Sequence, residues 1–427
     1  MRFSFNRGLG ATVARNLAYY RRATMKKVLA VSGVFVLLFA KIALAEPYGN
    51  TKVVAVSGGD YTDPSVAMDD TSWTNNCTST SPCLLKIMPG VYTVSTPVYM
   101  HSYIDIEGSG ENVTVIGTFR ASRSLSTGTV VASGVVGNCQ LRFLTVENNG
   151  SAPPHTSNPF RAAIYTCSGA VVSMLHVTAS AQGSGGNNYG FAGSSSGLTN
   201  MTFVTANATN GTETNCAIAA YGSPLTLTNV TATATGSSTA QYGIYDKSST
   251  VTMSSVTANV SGGAVAASNN YGVYIDTGGT VTMNNVNVTA TGTRNVYGIY
   301  NNQCTSTMTN DTVNVSGTSP NNDDYITGIY MNSSTVDMTA VKVSACTTTC
   351  KPIVTGIVTS KTTPQVRFCS AIGYTESGVV QCAFGWRGYS PTSLDAYNFF
   401  LNSGWLKTPS CDQITDPQGE GRPSAIH

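Results

Sequence analysis

Charge is what this sequence lacks. Only 10% of its 427 residues are Asp, Glu, Lys or Arg, against about 25% in an ordinary soluble domain. A nucleic-acid-binding surface needs clustered Lys and Arg, and a coiled coil needs abundant Glu and Lys, so both are excluded. No block of like charge occurs, and 41% hydrophobic residues suffice to bury a core, which excludes disorder. With 4 histidines, no Ser/His/Asp arrangement can be argued. No Cys-x-x-Cys pair and no zinc-type Cys/His spacing occurs. Uncharged polar residues, mainly Ser, Thr and Asn, take about a third of the chain instead.

Only one apolar run stands out. Met25-Lys26-Lys27 precedes Val28–Ala40, and Ala45 ends a small-x-small pattern before Glu46. This reads as a secretory signal peptide over residues 1–45, with an apolar stretch short for a membrane span. Met1 and Met25 are both candidate starts. The segment carries 8 of the 23 basic residues and none of the 21 acidic ones, so the formal +2 becomes −6 after cleavage. The mature chain is expected to be exported, with no membrane insertion and no nucleic-acid partner.

All 11 cysteines follow the signal, which suits an oxidising compartment. Candidate disulfides are Cys77 with Cys83, Cys139 with Cys167, Cys346 with Cys350, and Cys369 with Cys382. An odd total leaves at least one unpaired.

Internal repeats decide the fold. Tyr242-Gly-Ile-Tyr245 recurs as Tyr271-Gly-Val-Tyr274, Tyr297-Gly-Ile-Tyr300 and Thr327-Gly-Ile-Tyr330. A second marker slot holds Leu141, Met174, Met201, Leu227, Met253, Met283, Met308, Met338 and Phe368, at spacings of 25–33 residues. Val251 and Met253 alternate with Thr252, and Val256, Ala258 and Val260 with Thr257 and Asn259. Each series is a strand with one buried face. The odd step from Met253 to Val256 requires a turn, and that slot holds Asn229, Asn285 and Asn310, since Asn tolerates left-handed backbone. Asp311 occupies the inward slot of Val256, so its coil is expected to be distorted. Three strands per repeat and no helical period describe an all-β, right-handed parallel β-helix of about ten coils with short helical caps. Stacked coils explain the composition, because a charge would meet its like in the next coil while Thr, Ser and Asn form ladders. An antiparallel sandwich is the structural competitor.

Asp63-Pro64 reads as the start of a capping helix. Ser393–Leu401 has helical apolar spacing and is expected to cap the other end. The organisation is therefore signal peptide 1–45, N-terminal cap and first coils 46–110, β-helix repeats 111–382, and C-terminal cap and tail 383–427.

The segments Gly58-Gly-Asp-Tyr61, Leu85-Lys-Ile-Met-Pro-Gly-Val-Tyr92 and Ile104-Asp-Ile-Glu-Gly108 resemble the start of pectin-lyase-like β-helix proteins, in an order like that of pectin methylesterases. The match covers about 60 residues and implies the fold. It is closest to exported β-helix repeat proteins of Gram-negative bacteria, which implies a secreted, periplasmic or outer-surface location. The catalytic motifs of the esterases, polygalacturonases and pectate lyases have no counterpart here.

Candidate sites are few. Ile244, Val273, Ile299 and Ile329 should point inward, leaving Tyr245, Tyr274, Tyr300 and Tyr330 as an outward row suited to stacking on sugar rings. Asp246 and Asp276 lie beside it. Rings that merely stack on one another are the plainer reading. Asp105 and Glu107 share one strand face and are the weak catalytic candidates; solvated or turn-bonding carboxylates are the plainer reading. Asp69-Asp70 and Asp323-Asp324 are calcium candidates without a calcium loop. No cofactor or metal is expected. The composite expectation is an exported scaffold contacting a polysaccharide or cell-surface glycan; the rival is a polysaccharide-active enzyme in which Arg120, Arg123, Arg142 or Arg161 faces a carboxylate cluster.

Overall fold

The computed structural model describes residues 48–137, 139–151, 159–236, 239–262, 269–318, 324–347, 353–361, 364–367 and 369–375, and the strands Ala383–Gly388, Ser393–Leu394 and Phe399–Asn402. Residues 1–45, read above as a signal peptide, lie outside these residues, as do Cys350 and Cys382.

Among the described residues, every ladder between consecutive coils is parallel. Parallel stacking of successive coils excludes the hairpin-built sandwich. The strands fall into a 22-stranded sheet, which carries the two strands flanking each kink, and an 11-stranded return sheet. The architecture is a right-handed parallel β-helix. One coil runs Thr250–Ser254, Thr257–Gly262, then Asn269–Asp276.

The kink falls where the odd step requires it. Asn229, Asn285 and Asn310 have φ of 53°, 58° and 57°, and Phe143, His176, Phe203, Ser255 and Ala340 share the conformation in their coils. The strain is shared out along a stack: the N–H of each kink residue from Asn229 to Ala340 donates to a carbonyl of the next coil at 2.9–3.0 Å. The marker column is continuous from Leu141 to Met338, every member at most 2% exposed. It continues through Val366, which pairs with Met338; Phe368, the expected marker, lies outside the described residues.

Asp311 does not distort its coil. Thr312 stays in register with Asn287 and Lys342. The Asp311 carboxylate is fully buried and accepts the Val286 N–H at 2.7 Å. Burial pushes its pKa up to about 6.

The N-terminal cap forms as expected: Asp63 caps the helix Pro64–Asp69 and accepts the Ser65 N–H. Trp73 is buried there, its indole donating to Ala67 O at 2.8 Å. The C-terminal expectation was wrong. Where that segment is described it is not helical: Ser393–Leu394 and Phe399–Asn402 are strands paired with Gln365–Val366 and Ser370–Gly373, and residues 395–398 lie outside the described residues. The open edge of the preceding coil supplies hydrogen-bond partners at the repeat spacing, and this outweighs a local helical pattern.

Cys77 and Cys83 are joined. Cys139 and Cys167 are not. Both are free: Cys167 pairs with Ser133 and Ser194 in the return sheet, whereas Cys139 directly precedes Gln140 of the other sheet. The buried Cys139 thiol donates to His101 O and Ile104 O instead.

Candidate functional site

The return strand presents tyrosine twice per coil. Tyr242 and Tyr245 are three residues apart, so a straight strand would put them on opposite faces. Register pairs Tyr242 with Tyr271 and Ile244 with Val273, and the intervening glycine is skipped. The strand bends there toward the kinked sheet. A Cβ on Gly272 would lie 2.1 Å from Val288 Cγ1 and 2.6 Å from Gly298 O, so a side chain has no room. Ile244, Val273, Ile299 and Ile329 are fully buried, as expected. Outside them stand two tyrosine columns, Tyr242–Tyr271–Tyr297 and Tyr245–Tyr274–Tyr300–Tyr330, where one row was expected.

The rings stack on each other. Along the longer column the centroids are 5.3, 4.9 and 4.7 Å apart with interplanar angles of 11°, 4° and 15°. The shorter column steps at 5.2 Å, and the columns meet edge to face at 4.9–6.0 Å. These are the stacked and edge-to-face geometries that aromatic quadrupoles favour. Each interior ring therefore has both faces covered by neighbours, because strand spacing is only about 4.8 Å. An open stacking surface along the whole row is not what forms. Burial raises the phenol pKa values, to about 12 at Tyr245 and Tyr271, so these hydroxyls stay neutral donors.

The two ends differ. Toward the N-terminus the slab runs into an apolar cluster outside the coils, formed by Val131, Tyr165, Tyr189 and Cys216 with Leu125 and Phe160 against it. Toward the C-terminus Thr327 follows Tyr297 and Val358 follows Tyr330. The shortfall in side-chain volume leaves a cavity of about 370 Å³ lined by Tyr297, Tyr300, Tyr325, Tyr330, Thr327 and Thr355, with Val358 and Thr359. Tyr325 is 41% exposed and stands at its rim. Tyr297, Tyr325, Thr327 and Thr355 were not among the sequence candidates. The signal was present in the break from Tyr297-Gly-Ile to Thr327-Gly-Ile.

Asp246 does not flank the row. It points inward, is fully buried, and neither carboxylate oxygen makes a hydrogen bond of ordinary geometry, although Ser249 lies close enough to favour its charged form in part. Burial pushes its pKa up to about 7. Asp276 does sit at the edge, where it accepts from Asn302 at 3.0 Å and pairs with Lys247 at 4.0 Å.

Asp105 and Glu107 do share a face, but basic neighbours engage both. Glu107 is held by Lys86 Nζ at 2.5 Å and Arg142 Nε at 2.7 Å. Asp105 accepts the Gln140 N–H at 2.8 Å and faces Arg142 at 3.4 Å. Burial raises the Glu107 pKa, yet the hydrogen bonds from Lys86 and Arg142 outweigh it and leave the carboxyl below its ordinary value. A general acid needs the opposite shift. Arg161 is buried and donates to the carbonyls of Gly150, Ser184 and Gly185, which ties loops together.

The calcium candidates dissolve similarly. Asp70 caps the helix Thr71–Thr74 and accepts from Tyr61 at 2.6 Å, and Asp324 pairs with Arg294 at 3.0 Å. Asp323 lies outside the described residues. Among the described residues no cluster of three or more His, Cys, Asp or Glu could hold a metal. His176 is wedged in an outward stack between Phe143 and Phe203, at 5.6 and 4.8 Å.

No protein-family model and no curated protein matches the sequence. Similar solved structures include a pectin methylesterase from carrot, 12% identical with a TM-score of 0.37, over 80% of this chain and 87% of that one. The A-module of the Azotobacter vinelandii mannuronan C-5 epimerase AlgE4 is 11% identical with a TM-score of 0.39, over 82% and 97%. The catalytic domain of a GH87 α-1,3-glucanase in complex with tetrasaccharides is 13% identical with a TM-score of 0.32, over 83% and 70%.

Proposed function

We propose that the chain is an exported, non-catalytic β-helix scaffold that contacts carbohydrate through its tyrosine face. The observation that carries this reading is the cavity at the end of the slab, where four tyrosines and three threonines converge. Apolar ring faces bordered by neutral hydroxyls match a sugar's apolar C–H face and its hydroxyl rim. The Cys77–Cys83 bridge supports export to an oxidising compartment, with a secreted, periplasmic or outer-surface location. The engagement of Asp105 and Glu107 by Lys86 and Arg142 supports a structural role for that cluster.

The rival reading, a polysaccharide-active enzyme, draws on the same cluster, since an arginine there does face two carboxylates. A glycan array run beside reducing-sugar and unsaturated-uronate assays separates the two. Binding without turnover is the expected result. Turnover of any polymer, abolished by Glu107→Gln, would establish the enzyme and end the scaffold reading.

A further inference from the structure

The tyrosine slab has one open end, and this narrows where a sugar can bind. A ring stacks on a sugar only through an uncovered face. Tyr271 is covered by Tyr242 and Tyr297, and Tyr274 and Tyr300 are covered likewise. The N-terminal end is sealed by the Val131, Tyr165 and Tyr189 cluster. Tyr297 and Tyr330 are different. Among the described rings each is stacked on one side only, by Tyr271 and Tyr300, and the register neighbours on the other side are Thr327 and Val358. Both free faces border the same 370 Å³ cavity.

We infer that this cavity is the chain's sugar-stacking subsite, that it takes an uncharged pyranose ring between Tyr297, Tyr330 and the Thr355 side, and that the rest of the slab is its rigid support. This inference rests on the carbohydrate reading above. The charge assignment follows from the lining: the described residues that form the cavity are Tyr, Thr and Val, with no acid or base among them. The carboxylate at the slab's edge is Asp276, whose charge helps raise the Tyr300 phenol and would repel a polyuronate. Recognition then falls to the hydroxyls of Tyr325 at the rim and of the half-buried Tyr297 and Tyr330.

The test is Thr327→Tyr, which continues the shorter column by one ring and fills the cavity. The probes are a soluble neutral β-glucan and polygalacturonate, titrated calorimetrically against the full chain. The wild type is expected to bind the neutral glucan, and Thr327→Tyr to weaken binding at least tenfold while its melting temperature stays equal or rises. Tyr330→Ala should weaken binding similarly, and Phe203→Ala, in the separate outward stack with His176, should leave it within about twofold. Undiminished binding by Thr327→Tyr, or preference for polygalacturonate, would overturn the subsite while leaving carbohydrate binding intact. No binding of the wild type to any glycan on the array would remove both.

Discussion

Asp246 makes this β-helix less stable as the medium becomes alkaline. Its carboxyl lies in the return-strand stack between Ala220 and Ile275, with no exposed surface, and burial outweighs the partial support it receives from Ser249. Its folded pKa is about 7 against the ordinary 3.8. Because the folded value is the higher one, the native state holds its proton after the unfolded chain has lost it. Stability is therefore fully present below about pH 4 and is lost as pH rises through about 7. Each pKa unit corresponds to about 1.4 kcal/mol, so the interval from pH 5 to pH 8 removes about 3 kcal/mol. Asp246→Asn keeps the shape and removes the titration. Chemical denaturation of the wild type and Asp246→Asn at pH 5, 6.5 and 8 reads the difference directly. Other groups cancel in that difference, including Asp60, Asp70 and Glu107, whose lowered pKa values make them lose stability only as pH falls. The variant should gain about 3 kcal/mol on the wild type between pH 5 and pH 8. A difference that stays constant with pH, or shrinks, would refute the reasoning.

Other consequences follow from the same geometry. Asp311→Val restores the residue that Val256 and Val286 place in that slot. It should stabilise the fold at pH 8 by about 2–3 kcal/mol, read by the same denaturation, because it removes a buried carboxyl whose pKa is about 6. Tyr274→Ala removes two stacked and two edge contacts and should cost about 2–4 kcal/mol, read as a lowered melting temperature. Arg142→Ala leaves Asp105 and Glu107 short of a cation and should destabilise by about 1–3 kcal/mol without changing glycan titrations. Cys77→Ser with Cys83→Ser opens a short loop, and chain entropy puts the loss at about 2 kcal/mol in thermal melts under non-reducing conditions.

The fold was legible because a solenoid writes its register into the sequence. The Met column, the inward Ile244 series and the kink asparagines all repeat at coil spacing, and identical neighbours leave one way to stack. What repeats can be read; what ends cannot. The helical pattern that begins at Ser393 gives way at Ser393–Leu394 and Phe399–Asn402 to strands on the open edge of the preceding coil, and the residue in register with Met338 is Val366. The candidate site was half visible. The four tyrosines were identifiable, but their ring faces were not, since coverage depends on distances between coils.

By itself, then, the sequence determined the coil, its buried columns and its neutral surface, because each is a property of one repeat copied many times. Only the tertiary structure decided what happens where the copying stops. It bent the return strand at its glycines to set out two tyrosine columns. It drew Lys86 and Arg142 onto Asp105 and Glu107, and closed Asp246 into the core. It also left one uncovered end, at Tyr297 and Tyr330, because Thr327 and Val358 are too small to continue the stack.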